Sequence, residues 1–228
     1  MNQRLAAALI FAVLLPAPFS AQDSDSPLTH SDSPLTLEVL MERMAKTRGV
    51  RAHFREHKVV SLLSSPIETE GVLYFVPPDR FARHTLQPAR AVLVIDGDAL
   101  LFLDESMGEQ VDLGNDPIVR QFAENFAVLF NGDLDSLREL YRASLRADGD
   151  RWELTLVPRS ATVREFVRNI TLRGQGAALL EMVWVEADGD RTTTSFDEVE
   201  TNRSFTEREL EQAFPLEAAA RDDGSAVQ

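Results

Sequence analysis

The sequence predicts an α+β protein built on one large, bent antiparallel sheet with a few helices packed on it. Three Asp-Gly-Asp triplets, at 96–98, 148–150 and 188–190, each separate two segments in which apolar and polar residues alternate. Glycine accepts the positive φ of a tight hairpin turn, so each triplet predicts a hairpin between antiparallel strands. The helical segments are too few to act as crossovers between parallel strands, which excludes an α/β fold.

The N-terminus has the features of a secretory signal peptide, which we assign to residues 1–21. Arg4 supplies the positive charge, Leu5–Leu15 form an apolar segment too short to span a bilayer, and Ser20 and Ala21 are small enough for cleavage. The alternative is a buried N-terminal helix. We expect export to the periplasm with the signal peptide removed.

The remaining chain is expected to contain one domain. Residues 22–34 are rich in Ser, Asp and Pro and predict a flexible linker. Residues 35–217 carry the periodic segments and are assigned to the domain. Residues 218–228 are expected to form a disordered tail.

Composition narrows the classes of partner. The chain has no cysteine, so it is expected to depend on its core rather than on disulfides and to have no lipid-anchored cysteine. Its net charge is −14, and loss of residues 1–21 removes one further basic residue. This acidity disfavours nucleic acid and anionic membrane surfaces as partners. We expect a soluble, diffusing monomer.

The first half of the expected domain begins with a helix and continues as strands. Ser33 is a suitable N-cap with Pro34 at the first helical position, and Gly49 marks the end of the helix. Apolar residues at helical spacing lie between these signals: Leu37, Leu40, Met41 and Met44. The strands that follow are Val50–Leu63, Gly71–Val76, Phe81–Gln87, Ala91–Ile95 and Ala99–Asp104.

The middle of the chain predicts two helices. The first runs over Ile118–Phe130 and has a strongly aromatic face, ending at Asn131-Gly132. Asp133 caps a shorter helix that carries Leu134, Leu137 and Leu140. The aromatic helix is either part of the core or a lid over a concave sheet, and periodicity does not distinguish these alternatives.

The second half returns to strands and ends with a short helix. Its strands are predicted at Arg142–Ala147, Arg151–Val157, Val163–Leu172, Ala178–Ala187 and Arg191–Glu200. Thr206–Phe214 carries a Thr-x-x-Glu capping signal and predicts the helix.

The motifs of common catalytic and metal sites are missing from the sequence. The Asp-Gly-Asp triplets lack the further oxygen ligands of an EF-hand. His53 and His57 lie on a predicted strand, where residues four apart are about 13 Å from each other and cannot chelate one ion. The chain has no nucleophile elbow, P-loop or dinucleotide-binding fingerprint. We expect no cofactor, no metal and no enzymatic activity.

Several segments, in their shared order, resemble the LolA family of periplasmic lipoprotein carriers. The strand–Pro–strand segment 71–81 (GVLYFVPPDRF) matches the family signature, and His84, Gln87-Pro88 and Asp96-Gly97 continue it. Further matches follow in the family's order: 129–133 (LFNGD), 150–154 (DRWEL) through Pro158, the 170–172 strand, Asp188-Gly189 and Phe214-Pro215. The resemblance spans about Leu35 to Pro215.

The resemblance implies an incomplete, half-open antiparallel β-barrel of about ten to eleven strands, with helices covering its concave face. It also implies a cavity for the acyl chains of lipoproteins, an inner-membrane transporter as donor and an outer-membrane receptor as acceptor. Carriers of the family have an arginine before the proline of the second-strand turn, where it hydrogen-bonds to the lid. Pro77 occupies that position here.

We therefore expect a carrier of lipoproteins or related acylated lipids, and the alternative is a lipid-sensing regulatory protein on the same fold. A lipid hydrolase has no support in the sequence. The expected cavity lining is Leu73, Phe75, Phe81, Val92, Val94, Leu101, Leu103, Leu154, Leu156, Val183 and Val185. The expected lid is Leu37, Leu40, Met41, Met44, Ile118, Phe122, Phe126, Leu129 and Phe130.

Overall fold

The computed structural model describes residues 35–97, 99–104, 109–112, 128 and 131–215. The predicted signal peptide, the linker 22–34 and the tail 218–228 lie outside these residues. So does the predicted helix Ile118–Phe130, except for Val128. Among the described helices, none has both the length and the apolar character needed to cross a bilayer.

The described strands form one eleven-stranded antiparallel sheet. They are β1 (Val50–Val59), β2 (Ile67–Val76), β3 (Arg80–Gln87), β4 (Ala91–Asp96), β5 (Ala99–Asp104), β6 (Glu109–Asp112), β7 (Tyr141–Asp148), β8 (Arg151–Pro158), β9 (Val167–Gln175), β10 (Ala178–Glu186) and β11 (Arg191–Thr201). Their order is β6-β5-β4-β3-β2-β1-β11-β10-β9-β8-β7. Because β6 and β7 are the two edges, the sheet is open, which confirms the expected unclosed architecture.

Within the described residues, four helices with defined bounds accompany the sheet: α1 (Leu37–Ala45), α2 (Leu134–Leu140), α3 (Ala161–Arg164) and α4 (Glu207–Ala213). The predicted caps of α2 and α4 are confirmed. The Asp133 side chain accepts from the Ser136 N–H, and Thr206 and Glu209 form a reciprocal capping box.

The three Asp-Gly-Asp turns are confirmed as hairpins. Gly97, Gly149 and Gly189 have φ of 57°, 56° and 105°. They connect β4 to β5, β7 to β8, and β10 to β11, and each pair of strands is in antiparallel register. A residue with a Cβ is strained at such angles, so the local chemistry of glycine determines these turns.

Several predicted boundaries are wrong. α1 begins at Leu37 with Thr36 as its N-cap, rather than with Ser33, and it ends at Ala45, ahead of Gly49. β1 ends at Val59, four residues earlier than predicted. β9 begins at Val167 instead of Val163, because Ser160 caps a helical turn, α3, in the intervening segment. β6 was not predicted.

The two faces of the sheet carry separate apolar clusters. The larger cluster packs α1 and α2 on the concave face, against alternate residues of β1, β2 and β7–β11. The smaller cluster lies on the other face, where α4 packs against β3, β4 and β5. The candidate site is on the concave face.

Candidate functional site

Strand alternation builds an apolar concave face beneath α1. In β1 and β2 the buried residues are opposite one another across the ladder, with Ala52 paired to Leu73 and Val50 paired to Phe75. Five of the expected lining residues belong to this cluster: Leu73, Phe75, Phe81, Leu154 and Leu156.

The structure does not bring the other expected lining residues to the concave face. Four of them pack under α4 on the opposite face: Val92, Val94, Leu101 and Leu103. Val183 and Val185 alternate with Met182 and Trp184, which are in the concave cluster, so they also lie on the opposite face. The expectation fails because β4 and β5 are apolar on both faces, and composition alone does not identify which face a residue occupies.

α1 covers the concave face with the residues expected of a lid. Leu40, Met41 and Met44 are buried in the large cluster, and Leu37 packs at its margin. The other expected lid residues, Ile118, Phe122, Phe126, Leu129 and Phe130, lie outside the described residues. Methionine side chains are unbranched and adapt to irregular surfaces.

A small cavity remains between α1 and the sheet. Its volume is about 30 Å³. Its lining is almost wholly apolar: Met44, Thr47, Val50, Ala52, Leu73, Leu172, Ala177, Leu179, Phe196, Val199 and Thr201. With α1 in place, this space is far below the roughly 300 Å³ that a small ligand needs.

α1 also makes polar contacts at its margin. Arg43 forms an ion pair with Asp150 of the β7–β8 turn at 2.7 Å, and Glu38 pairs with Arg138 of α2. All four side chains are more than a third exposed, and such exposed pairs contribute little to stability. The polar anchors of α1 are therefore weak, and its docking depends on its apolar side chains.

Gly132 brings the chain ahead of α2 against the backbone of α1. Its φ is 66°, and a Cβ added there would lie 2.1 Å from the Met41 carbonyl oxygen and 2.6 Å from the Ala45 nitrogen. Only glycine fits this approach without displacing α1. The sequence predicts this glycine as the end of the aromatic helix and gives no signal of its contact with α1.

Next to this glycine, Asn131 connects the same segment to the β2–β3 turn. The Asn131 side-chain amide donates a hydrogen bond to the Pro78 carbonyl oxygen. The family pattern has an arginine of this turn donating to the lid, whereas here the turn accepts from Asn131.

A buried ion pair occupies the concave face beyond the apolar region. Both oxygens of Glu56, whose side chain is fully buried, accept from the Arg83 guanidinium at 3.0 Å. The Thr194 hydroxyl donates to Glu56 at 3.1 Å, and Arg83 stacks over the Phe54 ring at 4.3 Å. The concave face therefore combines a large apolar area with a few fixed polar groups, as ligand sites do.

The sequence reasoning missed this pair, although one signal was available. Val50, Ala52, Phe54 and Glu56 alternate with more exposed residues along β1, so Glu56 falls on the buried face. A carboxylate at such a position requires a partner. Its identity, Arg83, depends on the register of β1, β2 and β3, which the sequence does not provide.

Two titrating groups report on the packing of the helices. Burial raises the pKa of the Tyr141 phenol, at the junction of α2 and β7, to about 12. The pKa of Glu38 is held below its usual value by its own backbone N–H at the start of α1, by the Thr36 hydroxyl and by Arg138. Glu38 is therefore a carboxylate at neutral pH and complements the N-terminal end of the helix.

One cluster of carboxylates in the described part of the chain has metal-like spacing, formed by Glu186, Asp188 and Asp190. Protein groups already engage these side chains. Lys58 pairs with Glu186 at 2.6 Å, and Asp190 accepts from the Ser61 N–H at 2.8 Å. The cluster functions as a structural connection between β1 and the β10–β11 turn.

Proteins with similar sequences include outer-membrane lipoprotein carrier proteins. The chain is 30% identical over 135 residues to an outer-membrane lipoprotein carrier protein of Chromohalobacter salexigens, covering 59% of this chain and 62% of that protein. It is 24% identical over 200 residues to the carrier protein of Sodalis glossinidius, covering 85% of each.

Solved structures with a related arrangement include a LolA superfamily protein from Nitrosomonas europaea, with TM-score 0.38, 9% identity, and coverage of 76% of this chain and 96% of that one. Another is the MucA/MucB complex of Pseudomonas aeruginosa, with TM-score 0.47, 16% identity, and coverage of 76% and 60%. The family model described as outer membrane lipoprotein carrier protein LolA matches residues 45–211. The chain belongs to the LolA family.

Proposed function

We propose that this protein is a periplasmic carrier that shelters the acyl chains of lipoproteins, or of related lipids, between its concave sheet face and α1. The observation that carries the proposal is the composition of this interface. An apolar sheet face is covered by a helix whose buried side chains are leucine and methionine and whose polar anchors are exposed.

The cover must move for cargo to enter. The cavity of about 30 Å³ has no room for an acyl chain. Displacing α1 uncovers the surface now occupied by Leu40, Met41 and Met44, and an acyl chain can take their place on the sheet. Cargo and cover then compete for one apolar surface.

The free energies of burying the helix side chains and the acyl chain favour such an exchange. Three buried side chains of this size contribute roughly 5 to 9 kcal/mol of burial, and an acyl chain of about sixteen carbons contributes on the order of 10 kcal/mol. The two terms are close, so binding is favourable without being irreversible. A carrier needs this balance, because it has to release its cargo to an acceptor.

Location and partners follow the family pattern in this proposal. The signal-like residues 1–21 support export, and an inner-membrane transporter and an outer-membrane receptor are the expected donor and acceptor. Binding and release require no chemical step, so the proposal includes no catalytic residue.

A glycine pair provides a matched test of α1 as the cover. Gly132→Ala drives a methyl group into the α1 backbone, whereas Gly149→Ala introduces a similar positive-φ strain with nothing within 4 Å of its Cβ. We expect Gly132→Ala to loosen α1 and to increase the affinity for a fluorescent fatty acid and a palmitoylated peptide, with Gly149→Ala close to wild type.

The same titrations can contradict the proposal. A wild-type protein that binds neither the fatty acid nor the acylated peptide would exclude a carrier of acyl chains. Equal affinities in the two glycine variants would exclude α1 as the cover. Binding without transfer between donor and acceptor vesicles would favour the lipid-sensing alternative.

A further inference from the structure

One end of the sheet exposes apolar side chains that do not belong to the concave site. At the β1–β2 turn, Val59 is 48%, Leu62 93% and Leu63 50% exposed. At the same end, Leu86 near the end of β3 and Phe166 before β9 are 42% and 44% exposed. Five of the seven large apolar residues most exposed in the described chain therefore lie along one rim, which we call the β1–β2 rim. The other two are Val39 and Leu180.

The β1–β2 turn is held in a defined conformation. The Ser61 N–H donates to the Asp190 carboxylate at 2.8 Å, and the Leu63 N–H donates to the Val60 carbonyl at 3.0 Å. Asp190 is itself buried. The two leucines are consequently displayed to solvent by a fixed turn, and their exposure is a property of the fold.

A second contact region on this rim is basic and aromatic. The β8–β9 connection, residues 159–166, contains Arg159, Arg164 and one glutamate and ends at Phe166, and Arg168 follows at the start of β9. Arg159 and Arg164 donate to backbone carbonyls, and Arg168, whose side chain is exposed, donates to the Ala187 carbonyl. The Phe166 carbonyl accepts from the Ala187 N–H at 3.1 Å, which fixes this segment to the neighbouring turn. The connection is three strands from β1 in the sheet order, or about 14 Å.

Arg191 adds a cation between these two regions. It is paired with Val59 across the β1–β11 ladder, and its side chain is exposed. Arginine binds phosphate through a planar, bidentate arrangement of donors. The rim thus carries exposed apolar side chains beside guanidinium groups, as surfaces that enter the headgroup region of a bilayer do. It also carries the Glu186 and Asp188 carboxylates of the β10–β11 turn, and Glu186 is paired with Lys58 at 2.6 Å.

We propose that the β1–β2 rim docks the protein on an anionic phospholipid bilayer, with Leu62, Leu63 and Phe166 entering the interface and the exposed Arg168 and Arg191 binding lipid phosphates. The exposed leucines and Phe166 form two groups about 14 Å apart. Such separate groups fit the broad surface of a bilayer better than a protein groove, which would need contiguous apolar area. The chain carries a net charge of −14, so an anionic surface repels most of it and selects the orientation in which this rim approaches.

This inference does not rest on the acyl-chain site. The cavity under α1 is lined by Thr47, Ala177 and Thr201, at the opposite end of the sheet. The rim also differs in charge from the chain as a whole. The whole chain is acidic enough to disfavour an anionic membrane, whereas the arrangement of its arginines favours one orientation on it.

Vesicle flotation tests the docking. The processed protein without residues 1–21 is used, so that the apolar signal segment cannot bind lipid. We expect it to float with vesicles of phosphatidylglycerol and phosphatidylcholine, to stay in solution with phosphatidylcholine alone, and to bind less as salt is raised. Leu62→Ser with Leu63→Ser should weaken binding about tenfold or more.

Matched variants at the other end of the sheet serve as controls. Leu180→Ser removes an equally apolar, exposed leucine at the start of β10, and Arg151→Gln removes an exposed arginine at the start of β8. We expect both to bind as wild type, and Arg168→Gln with Arg191→Gln to lose most of the preference for anionic vesicles. Thermal melting checks that each variant is folded.

Three results would overturn the proposal. They are absence of wild-type binding to the anionic vesicles, unchanged binding of the folded Leu62/Leu63 variant, or an equal loss in the Leu180 and Arg151 controls. Retention of a purified protein partner by the rim with no vesicle binding would assign the surface to protein recognition instead.

Discussion

Helices α1 and α4 cover opposite faces of the sheet in different ways. α1 covers the concave face with leucine and methionine side chains, and its exposed ion pairs give it weak polar anchoring. α4 covers the opposite face and is followed directly by Phe214, which is buried and stacks under Arg80 at 4.4 Å. The Ala213 carbonyl also lies 2.8 Å from the His84 ring nitrogen. An aromatic residue fixed by specific contacts suits a permanent cover, and adaptable side chains suit a movable one.

Phe214→Ala should have the largest effect on stability. Truncating a buried phenylalanine costs about 3 to 5 kcal/mol in the free energy of unfolding. Because α4 lies away from the concave face, we expect the affinity for a fluorescent fatty acid to be unchanged in the folded fraction. Denaturant unfolding and probe titration measure the two quantities. Phe166→Ala, at an exposed position, should cost under 1 kcal/mol.

The second-largest expected effect is that alkaline pH destabilises the concave core. The pKa of Tyr141 is raised to about 12 by burial, whereas an unfolded tyrosine titrates near pH 10. The neutral phenol is favoured in the folded state, so its contribution is intact below about pH 10 and is lost as pH rises toward 12. A shift of this size corresponds to roughly 2 to 3 kcal/mol.

Tyr141→Phe should remove this part of the pH dependence. Denaturant melts at neutral pH and near pH 11 measure it. If the free energy of unfolding of the variant depends on pH as steeply as that of the wild type, Tyr141 does not titrate with unfolding.

Met41→Ala should show that α1 and α4 have different roles. We expect a loss of about 2 kcal/mol in stability, at the lower end for a buried methionine, together with about a tenfold gain in affinity for the acyl probe. The gain arises because the variant weakens the cover that competes with cargo. Val39→Ala, at an exposed position of the same helix, is the control and should change neither quantity. A stability loss with no gain in affinity would indicate that α1 stays in place when lipid binds.

The smallest expected effect is that acid loosens α1 at a higher pH than it loosens α4. The pKa of Glu38 at the start of α1 is lowered, and that of Glu209 at the start of α4 is lowered further, to about 2, by the Thr206 backbone N–H and by Arg203. Each carboxylate stabilises its helix above the unfolded pKa of about 4.5, and this contribution is lost as pH falls through the folded value. Hydrogen exchange below pH 4.5 should show α1 losing protection first, and the reverse order would contradict this comparison.

Local chemistry made part of the fold predictable. Gly97, Gly149 and Gly189 specify hairpins because their positive φ is a property of the residue itself. The caps Asp133 and Thr206 were predictable for the same reason, since each satisfies backbone N–H groups a few residues away. The segment 163–166 was assigned to a strand because its helical turn is too short to show a period.

Contacts distant in sequence account for what was missed. Val94 and Leu101 face away from the cavity because α4, more than a hundred residues later, covers that side of the sheet. The pairing of Glu56 with Arg83 depends on register across three strands. The contact of Gly132 with α1 depends on how the two helices dock.

The central claim is that α1 must leave the concave face to admit an acyl chain, and cross-linking tests it most directly. The chain has no cysteine, so Glu38→Cys with Arg138→Cys places one pair where an ion pair now joins α1 to α2. A short, cleavable bismaleimide should join the pair and block uptake of a palmitoylated peptide, and cleavage of the linker should restore uptake. Arg203→Cys with Glu209→Cys, cross-linked at α4, is the control and should bind normally. Undiminished uptake by the α1–α2 cross-linked protein would contradict the claim.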